Sequence, residues 1–194
     1  MENNFYSMVL RMKHVNRWGL MRNTWKESLS EHTLDVVIIS QALAVISKKR
    51  LGNDIDVSRV TMLALFHDAS EIITGDLPTT IKYFNQEIKT AYKNIEQEAS
   101  KKLLNMLPED FKDEYEDAFI PKESDEYLWR LVKGADRISA LIKCIEEEDA
   151  GNHEFILAKK AQFESIKQMQ MKEIDIFLEE FLAGFSKPLE ELND

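Results

Sequence analysis

The chain has 194 residues, of which 44% are hydrophobic and 31% charged; at roughly 150 residues per domain that is room for one core, and the balance excludes a wholly disordered chain. Its 25 basic residues against 35 acidic ones leave a net charge of −10. That is the opposite of the basic footprint of a nucleic-acid or anionic-membrane binder, so neither is an expected partner.

With only 6 glycines and 4 prolines, the chain lacks the many tight turns of an all-β domain, and helical periodicity dominates. The expected fold is all-α, one domain over residues 1–186 followed by a short tail, 187–194. A first helix is expected from Asn3 to about Lys13. The stretch from Asn16 to Leu29 reads as irregular and holds Arg17, Trp18, Arg22 and Trp25. Ser28-Leu-Ser-Glu31 has the spacing of a capping box. Leu34, Val37, Ile38, Val45 and Ile46 then recur at helical spacing as far as Lys49, with Gly52 as the stop. A third helix is expected from an N-cap at Asp56 through His67 and Glu71 to Gly75. Asp76-Leu77-Pro78-Thr79 is loop chemistry. Further helices are expected near residues 80–107, 109–119, 124–150, 153–168 and 172–184, with Pro108 and Pro121 as separators.

The one cysteine, Cys144, cannot form an internal disulfide. It lies in an apolar helical pattern and fits a core position in a reducing compartment. The N-terminal stretch has no signal-like apolar region, and no apolar run reaches about 18 residues, so the expected location is the cytoplasm, with no membrane partner.

The strongest chemical signal is Phe66-His67-Asp68 inside an apolar pattern. Leu63, Ala64 and Leu65 precede these ionisable groups by three and four residues, and a buried carboxylate needs a partner. His32 opens another apolar helix. Asp136 lies on a helix whose core positions are Leu128, Leu131, Val132, Ala135, Ile138 and Ile142. Glu71 is four residues beyond His67 and three beyond Asp68, so it shares their helical face. The residues alone leave open a satisfied core histidine beside an N-cap-like aspartate. If the helices converge, two imidazoles and two carboxylates form a set suited to one divalent transition metal with open positions for water. Manganese, cobalt and ferrous iron are favoured, and zinc is admitted.

His32, His67-Asp68 and Asp136 stand in the order H…HD…D. Around them are Asn16-Arg17-Trp18, Ser30-Glu31-His32, His67-Asp68-Ala69-Ser70-Glu71, Thr74-Gly75-Asp76-Leu77-Pro78-Thr79, Lys82-Tyr83-Phe84-Asn85 and Val132-Lys133-Gly134-Ala135-Asp136. With these motifs the chain resembles the HD-domain metal-dependent phosphohydrolases and, among them, the bacterial 5′-deoxynucleotidase family typified by YfbR, from about Phe5 to about Phe181. The resemblance implies an HD-domain helical bundle, usually a homodimer, that hydrolyses deoxyribonucleoside 5′-monophosphates to deoxyribonucleoside and phosphate. It implies His32, His67, Asp68 and Asp136 as metal ligands, with cobalt or manganese first, and Glu71 as the catalytic carboxylate, with Asp68 beside it. Arg17 would orient the phosphate. Trp18, His32 and the Asp76, Leu77, Pro78 and Thr79 loop would meet the deoxynucleoside, with Lys82 adding positive charge. Thr33 after His32, and Gly134 and Arg137 around Ala135-Asp136, are minor departures.

Each role has a physical basis. A metal activates water and neutralises phosphate charge. Glu71 can orient that water or relay a proton to the leaving oxygen. The planar fork of Arg17 matches a phosphate. Trp18 offers a flat wall against a 2′-hydroxyl, and Asp76 an acceptor for the 3′-hydroxyl. Relatives acting on nucleoside triphosphates, alarmones or cyclic nucleotides would need more basic residues than Arg17, Arg22, Lys82 and Lys133 beside the motifs. A non-catalytic metal or nucleotide sensor would not need Glu71. His14 reads as an interface or surface residue, His153 as the opening of a helix, and Tyr83, Phe84 and Tyr92 as core. The run Glu146 to Asp149 reads as a solvated helix end whose placement opposes the helix dipole.

Overall fold

The computed structural model describes residues 3–82 and 84–193, and among the described residues ten α-helices follow one another. They are α1 (Phe5–Val9), α2 (Leu29–Arg50), α3 (Val57–Phe66), α4 (Glu71–Thr74), α5 (Thr79–Lys82), α6 (Gln86–Leu104), α7 (Lys112–Phe119), α8 (Glu126–Asp149), α9 (Ile156–Lys167) and α10 (Lys172–Phe181). Among the described residues the β-type pairing is a single antiparallel bridge, Asn16 to Ser28. The first helix is shorter than expected, because α1 tightens into a 3-10 turn at Leu10–His14.

The capping box forms: Ser28 Oγ accepts from the Glu31 N–H, and the Glu31 carboxylate accepts from the Ser28 N–H at 2.7 Å. Helix α2 packs on α3, α8 and α10. Val36, Leu43, Val60, Leu63, Leu131, Ile138 and Ile174 fill the seam between them. A second cluster joins Phe5, Phe66, Leu103, Ala118 and Phe119. The inward face of α2 differs from the apolar repeat read in sequence. It carries the polar His32, Thr33, Ser40 and Ser47, while Leu34, Ile38 and Val45 are exposed. Two of these buried polar groups have partners across the seam, His32 with Ser139 and Ser47 with Tyr127 and Glu173, whereas the hydroxyls of Thr33 and Ser40 have none among the described residues. By length and composition α2 could cross a membrane, yet half of its apolar window is buried within the protein.

The expected helix from Asp56 to Gly75 breaks. It ends at Phe66, residues 67–70 form tight turns, and α4 runs only to Thr74, before Gly75 at φ 75°. The cause is local. His67 Nδ1–H donates to the Ala64 carbonyl oxygen at 2.8 Å, and the following N–H groups reach back three residues rather than four, Ala69 to Phe66 and Glu71 to Asp68. The expected helix over 80–107 is also divided. Asn85 caps a new start by accepting from the Ile88 N–H at 2.8 Å. Phe84 is 75% exposed rather than core, whereas Tyr92 is buried; Tyr83 lies outside the described residues.

Gly134 sets how closely α8 approaches its neighbours. A Cβ there would sit 2.7 Å from Ile174 Cδ1 and 3.6 Å from Leu43 Cδ1, so glycine permits a contact that alanine obstructs.

The segment between α1 and α2 is a strap fastened to the end of α8. The carboxylate of Glu147 is fully buried and accepts from the Thr24 N–H at 2.9 Å, from Asn152 Nδ2 at 2.7 Å and from Lys143 Nζ. Lys143 also donates to the Trp25 carbonyl at 3.0 Å, with its ammonium 4.2 Å from the Trp25 ring centroid. Glu147 is therefore not part of a solvated helix end. Its placement against the helix dipole is offset by the cation and the strap N–H groups it serves. Glu148 pairs with Lys159.

Candidate active site

Three helices bring the H…HD…D groups together. His32 sits in the first turns of α2, His67 and Asp68 in the turn that ends α3, and Asp136 on α8. One donor atom from each of the four lies within 4.8 Å of every other. His32 Nε2 is 3.2 Å from Asp136 Oδ1 and 3.7 Å from Asp68 Oδ2, and His67 Nε2 is 3.1 Å from Asp68 Oδ2.

The histidine rings are held from behind. His67 Nδ1 is committed to Ala64, and His32 Nδ1 is 3.1 Å from Ser139 Oγ. Both Nε2 atoms are buried with no hydrogen-bond partner, and both face the carboxylates. Two orphaned imidazole nitrogens opposite two carboxylate oxygens fit a divalent cation, and ligand histidines are commonly oriented by such outer bonds. The electrostatics agree. Burial opposes charge on His67, yet Asp68 and Asp136 raise its pKa to about 9. Asp68 is held well below the usual carboxylate range despite burial, chiefly by His67, then by His32 and Arg17. The cluster demands positive charge at its centre, and metal binding would displace the proton that supplies it.

Arg17 and Glu71 flank this cluster. The Arg17 side chain is 12% exposed, with Nη1 3.7 Å from Asp68 Oδ2 and Nε 3.4 Å from Glu27 Oε2. Burial works against its charge, but Asp136, Asp68, Glu27 and Asp76 together raise its pKa. Glu71 is buried, and one of its oxygens has no partner. Burial first, then Asp68 and Asp76, raise its carboxyl to about 9, against the pull of Arg17 and Lys82. Asp76 is raised mainly by burial, while Arg17 and the Trp18 backbone N–H oppose the shift.

The remaining expected site residues are placed as follows. Trp18 is half-buried, its ring edge-on to Phe155 at 5.3 Å between centroids. Leu77 and Pro78 are half-buried and Thr79 exposed, in the stretch after Asp76. Lys82 is spent on Glu96 at 2.7 Å and lies over the Tyr92 ring, although its charge still reaches Glu71. Arg22 pairs with Glu154, Lys133 is exposed, and Arg137 donates to the Ser165 carbonyl. His14 and His153 are exposed, and Cys144 is buried. Two residues that touch the site were missed in sequence, Glu27 and Ser139. Ser139 lies three residues after Asp136 on one helix face and could have been found by spacing. Glu27 has no local signal.

A helical bundle that gathers two histidines and two aspartates in the order H…HD…D defines an HD-domain phosphohydrolase. An HD-domain phosphohydrolase from Listeria innocua shares this fold with TM-score 0.81 at 20% identity, covering 94% of this chain and 88% of that one. The cyanophage S-2L HD phosphohydrolase DatZ, solved bound to dA and one catalytic Zn2+ ion, overlays with TM-score 0.61 at 21% identity, covering 94% of this chain and 96% of that one. A 5′-deoxynucleotidase of Vibrio vulnificus is 44% identical over 99% of both chains. The 5′-deoxynucleotidase YfbR of Escherichia coli O1:K1 / APEC is 42% identical over 99% of this chain and 96% of its own. The sequence model described as 5′-deoxynucleotidase YfbR-like matches residues 4–185, and the chain belongs to that family.

Proposed function

We propose that this chain is a metal-dependent 5′-deoxynucleotidase that hydrolyses deoxyribonucleoside 5′-monophosphates to deoxyribonucleoside and inorganic phosphate. The observation that carries the reading is the four-residue cluster with two orphaned imidazole nitrogens, flanked by a half-buried arginine and the buried carboxyl group of Glu71. His32, His67, Asp68 and Asp136 would hold the metal. Cobalt and manganese are the first candidates, with ferrous iron and zinc next, because the donors are mixed nitrogen and oxygen. When bound, a divalent metal supplies Lewis-acid activation of water and neutralises phosphate charge.

The chain's own groups supply the rest. Arg17, steadied by Asp68 and Glu27, offers its fork to the phosphoryl oxygens of a monoester carrying about −1.5 to −2 charge. Water adds to phosphorus, the bond to the 5′ oxygen breaks, and that oxygen takes a proton. Burial, Asp68 and Asp76 raise the Glu71 carboxyl to about 9, which suits it to deliver that proton near neutral pH. Trp18 walls the sugar against a 2′-hydroxyl, and Asp76 accepts from the 3′-hydroxyl. The Leu77 to Thr79 stretch borders the nucleoside, and Lys82, held by Glu96, contributes only its field.

The lone buried thiol supports a reducing, cytoplasmic setting. The exposed apolar row Leu34, Ile38 and Val45 on α2 supports a homodimer, since monomers rarely leave such a row uncovered. The test is phosphate release from a panel of deoxy- and ribonucleoside mono- and triphosphates with added manganese or cobalt. Turnover of deoxynucleoside monophosphates is the expected result. Monophosphates inert in every metal would defeat the reading.

A further inference from the structure

We infer that Glu27 is a positioning residue that holds Arg17 and Trp18 as one unit, so that phosphate orientation and sugar discrimination depend on a single buried carboxylate. The inference rests on the nucleotidase reading above. Glu27 is 7% exposed and belongs to the strap rather than to any helix. Its Oε2 accepts from the Trp18 indole N–H at 2.6 Å and lies 3.4 Å from Arg17 Nε. The main chain sets this pairing, because the Arg17 N–H donates to the Glu27 carbonyl at 2.9 Å and the Leu29 N–H to the Val15 carbonyl at 2.8 Å. The two residues are thus fixed across the strap from each other.

Trp18 carries a backbone cost that this arrangement explains. Its φ is 56°, a region that a bulky residue seldom occupies without surrounding constraint. In that conformation its backbone N–H acts on Asp76, its indole N–H on Glu27, and its carbonyl accepts from the Met21 N–H at 2.9 Å. Phe155 closes the ring from the side. Arg17 faces Glu27 as an ion pair without an aligned hydrogen bond at Nε, while Nη1 lies toward Asp68. Glu27 is not a fifth ligand. Its Oε1 is 3.9 Å from His32 Nδ1, behind the ring, whereas Nε2 of the same ring faces Asp68 and Asp136.

The experiment compares metal-loaded wild type, Glu27→Gln and Glu27→Ala. It measures kcat and KM for a deoxyribonucleoside 5′-monophosphate and its ribo counterpart, together with bound metal. In Glu27→Gln the amide oxygen still accepts from Trp18 but the charge facing Arg17 is gone. KM for both nucleotides should rise roughly tenfold, the scale of one charge-assisted contact, with the deoxy-to-ribo ratio within about twofold of wild type. In Glu27→Ala both anchors go, so KM rises and the ratio of kcat/KM falls, again by roughly tenfold. Both variants should keep wild-type metal content. A folded Glu27→Ala protein with unchanged KM and ratio overturns the inference, as does loss of metal that accounts for the whole effect. If Glu27→Ala does not fold, Glu27→Gln decides: an unchanged KM overturns the inference. Wild type that is active but does not discriminate removes the sugar half of the coupling and overturns it. Wild type inert on every monophosphate overturns the nucleotidase reading itself.

Discussion

The Nδ1–H of His67 donates to the carbonyl oxygen of Ala64 at 2.8 Å. A carbonyl can only accept, so this bond assigns one proton to Nδ1 and turns Nε2 toward Asp68 and Asp136, where it holds a second proton until a cation takes that proton's place. The same bond ends α3. One side chain is thus both the stop that turns Asp68 and Glu71 into the site and a nitrogen ready for a cation.

Glu71→Gln should keep metal and nucleotide binding and lose turnover, because an amide cannot deliver the proton the leaving oxygen needs. The expected fall in kcat is roughly 10²- to 10⁴-fold, with KM little changed. A kcat within tenfold of wild type would reassign proton transfer to another group.

Stripping metal with a chelator should weaken nucleotide binding strongly, since Asp68 and Asp136 then face an incoming dianion with only Arg17 and the proton on His67 to oppose them. Calorimetric titration of stripped and reloaded protein reads this directly. Equal affinities in the two forms would show that the cluster does not govern binding.

Trp18→Ala should narrow the gap in kcat/KM between deoxy- and ribonucleotides, because the wall that excludes the 2′-hydroxyl is removed. The ratio is expected to fall by roughly one order of magnitude, the value of a modest pocket contact. An unchanged ratio takes Trp18 out of specificity.

Acid should loosen the strap. Burial opposes the Glu147 charge, but Lys143, the Thr24 N–H and Asn152 hold its carboxyl down to about 2, against an ordinary value of 4.5. A lowered folded-state pKa contributes stability that is fully present above 4.5 and is lost as pH falls through about 2. The contribution is about 3 kcal/mol at neutral pH. Glu147→Gln should therefore be less stable at pH 7 and show a flatter stability curve between pH 4.5 and 2 in denaturant titrations. Parallel curves for the two proteins would refute the linkage.

Gly134→Ala should destabilise the fold despite alanine's better helix propensity. The new Cβ meets Ile174 Cδ1 at 2.7 Å and Cγ1 at 3.3 Å in a filled seam. Overpacking of that kind costs about 1–3 kcal/mol against a gain of about 1 kcal/mol in propensity. A raised melting temperature would show that α10 yields without strain.

The features legible in sequence are those with a local physical signature. Ser28 and Glu31 stand at capping-box spacing, and the box forms. Leu131, Val132, Ala135 and Ile138 mark the buried face of α8, and Asp136 stands out as a charge beside it. Ionisable residues in apolar helices announce themselves because burying them alone is costly, so the quartet of His32, His67, Asp68 and Asp136 could be named before its convergence was seen. The tertiary structure decided whatever depends on a partner distant in sequence or on a side chain competing with its own backbone. His67 takes the Ala64 carbonyl and breaks a helix that periodicity continues to Gly75. Glu147 is buried at a helix end where the dipole disfavours it, because Lys143 and the strap N–H groups meet it there. Lys82 is drawn to Glu96. Glu27 joins Trp18 and Arg17 only because the strap folds back on itself. Spacing along the chain sets which residues share a face, and packing decides which charges each one meets.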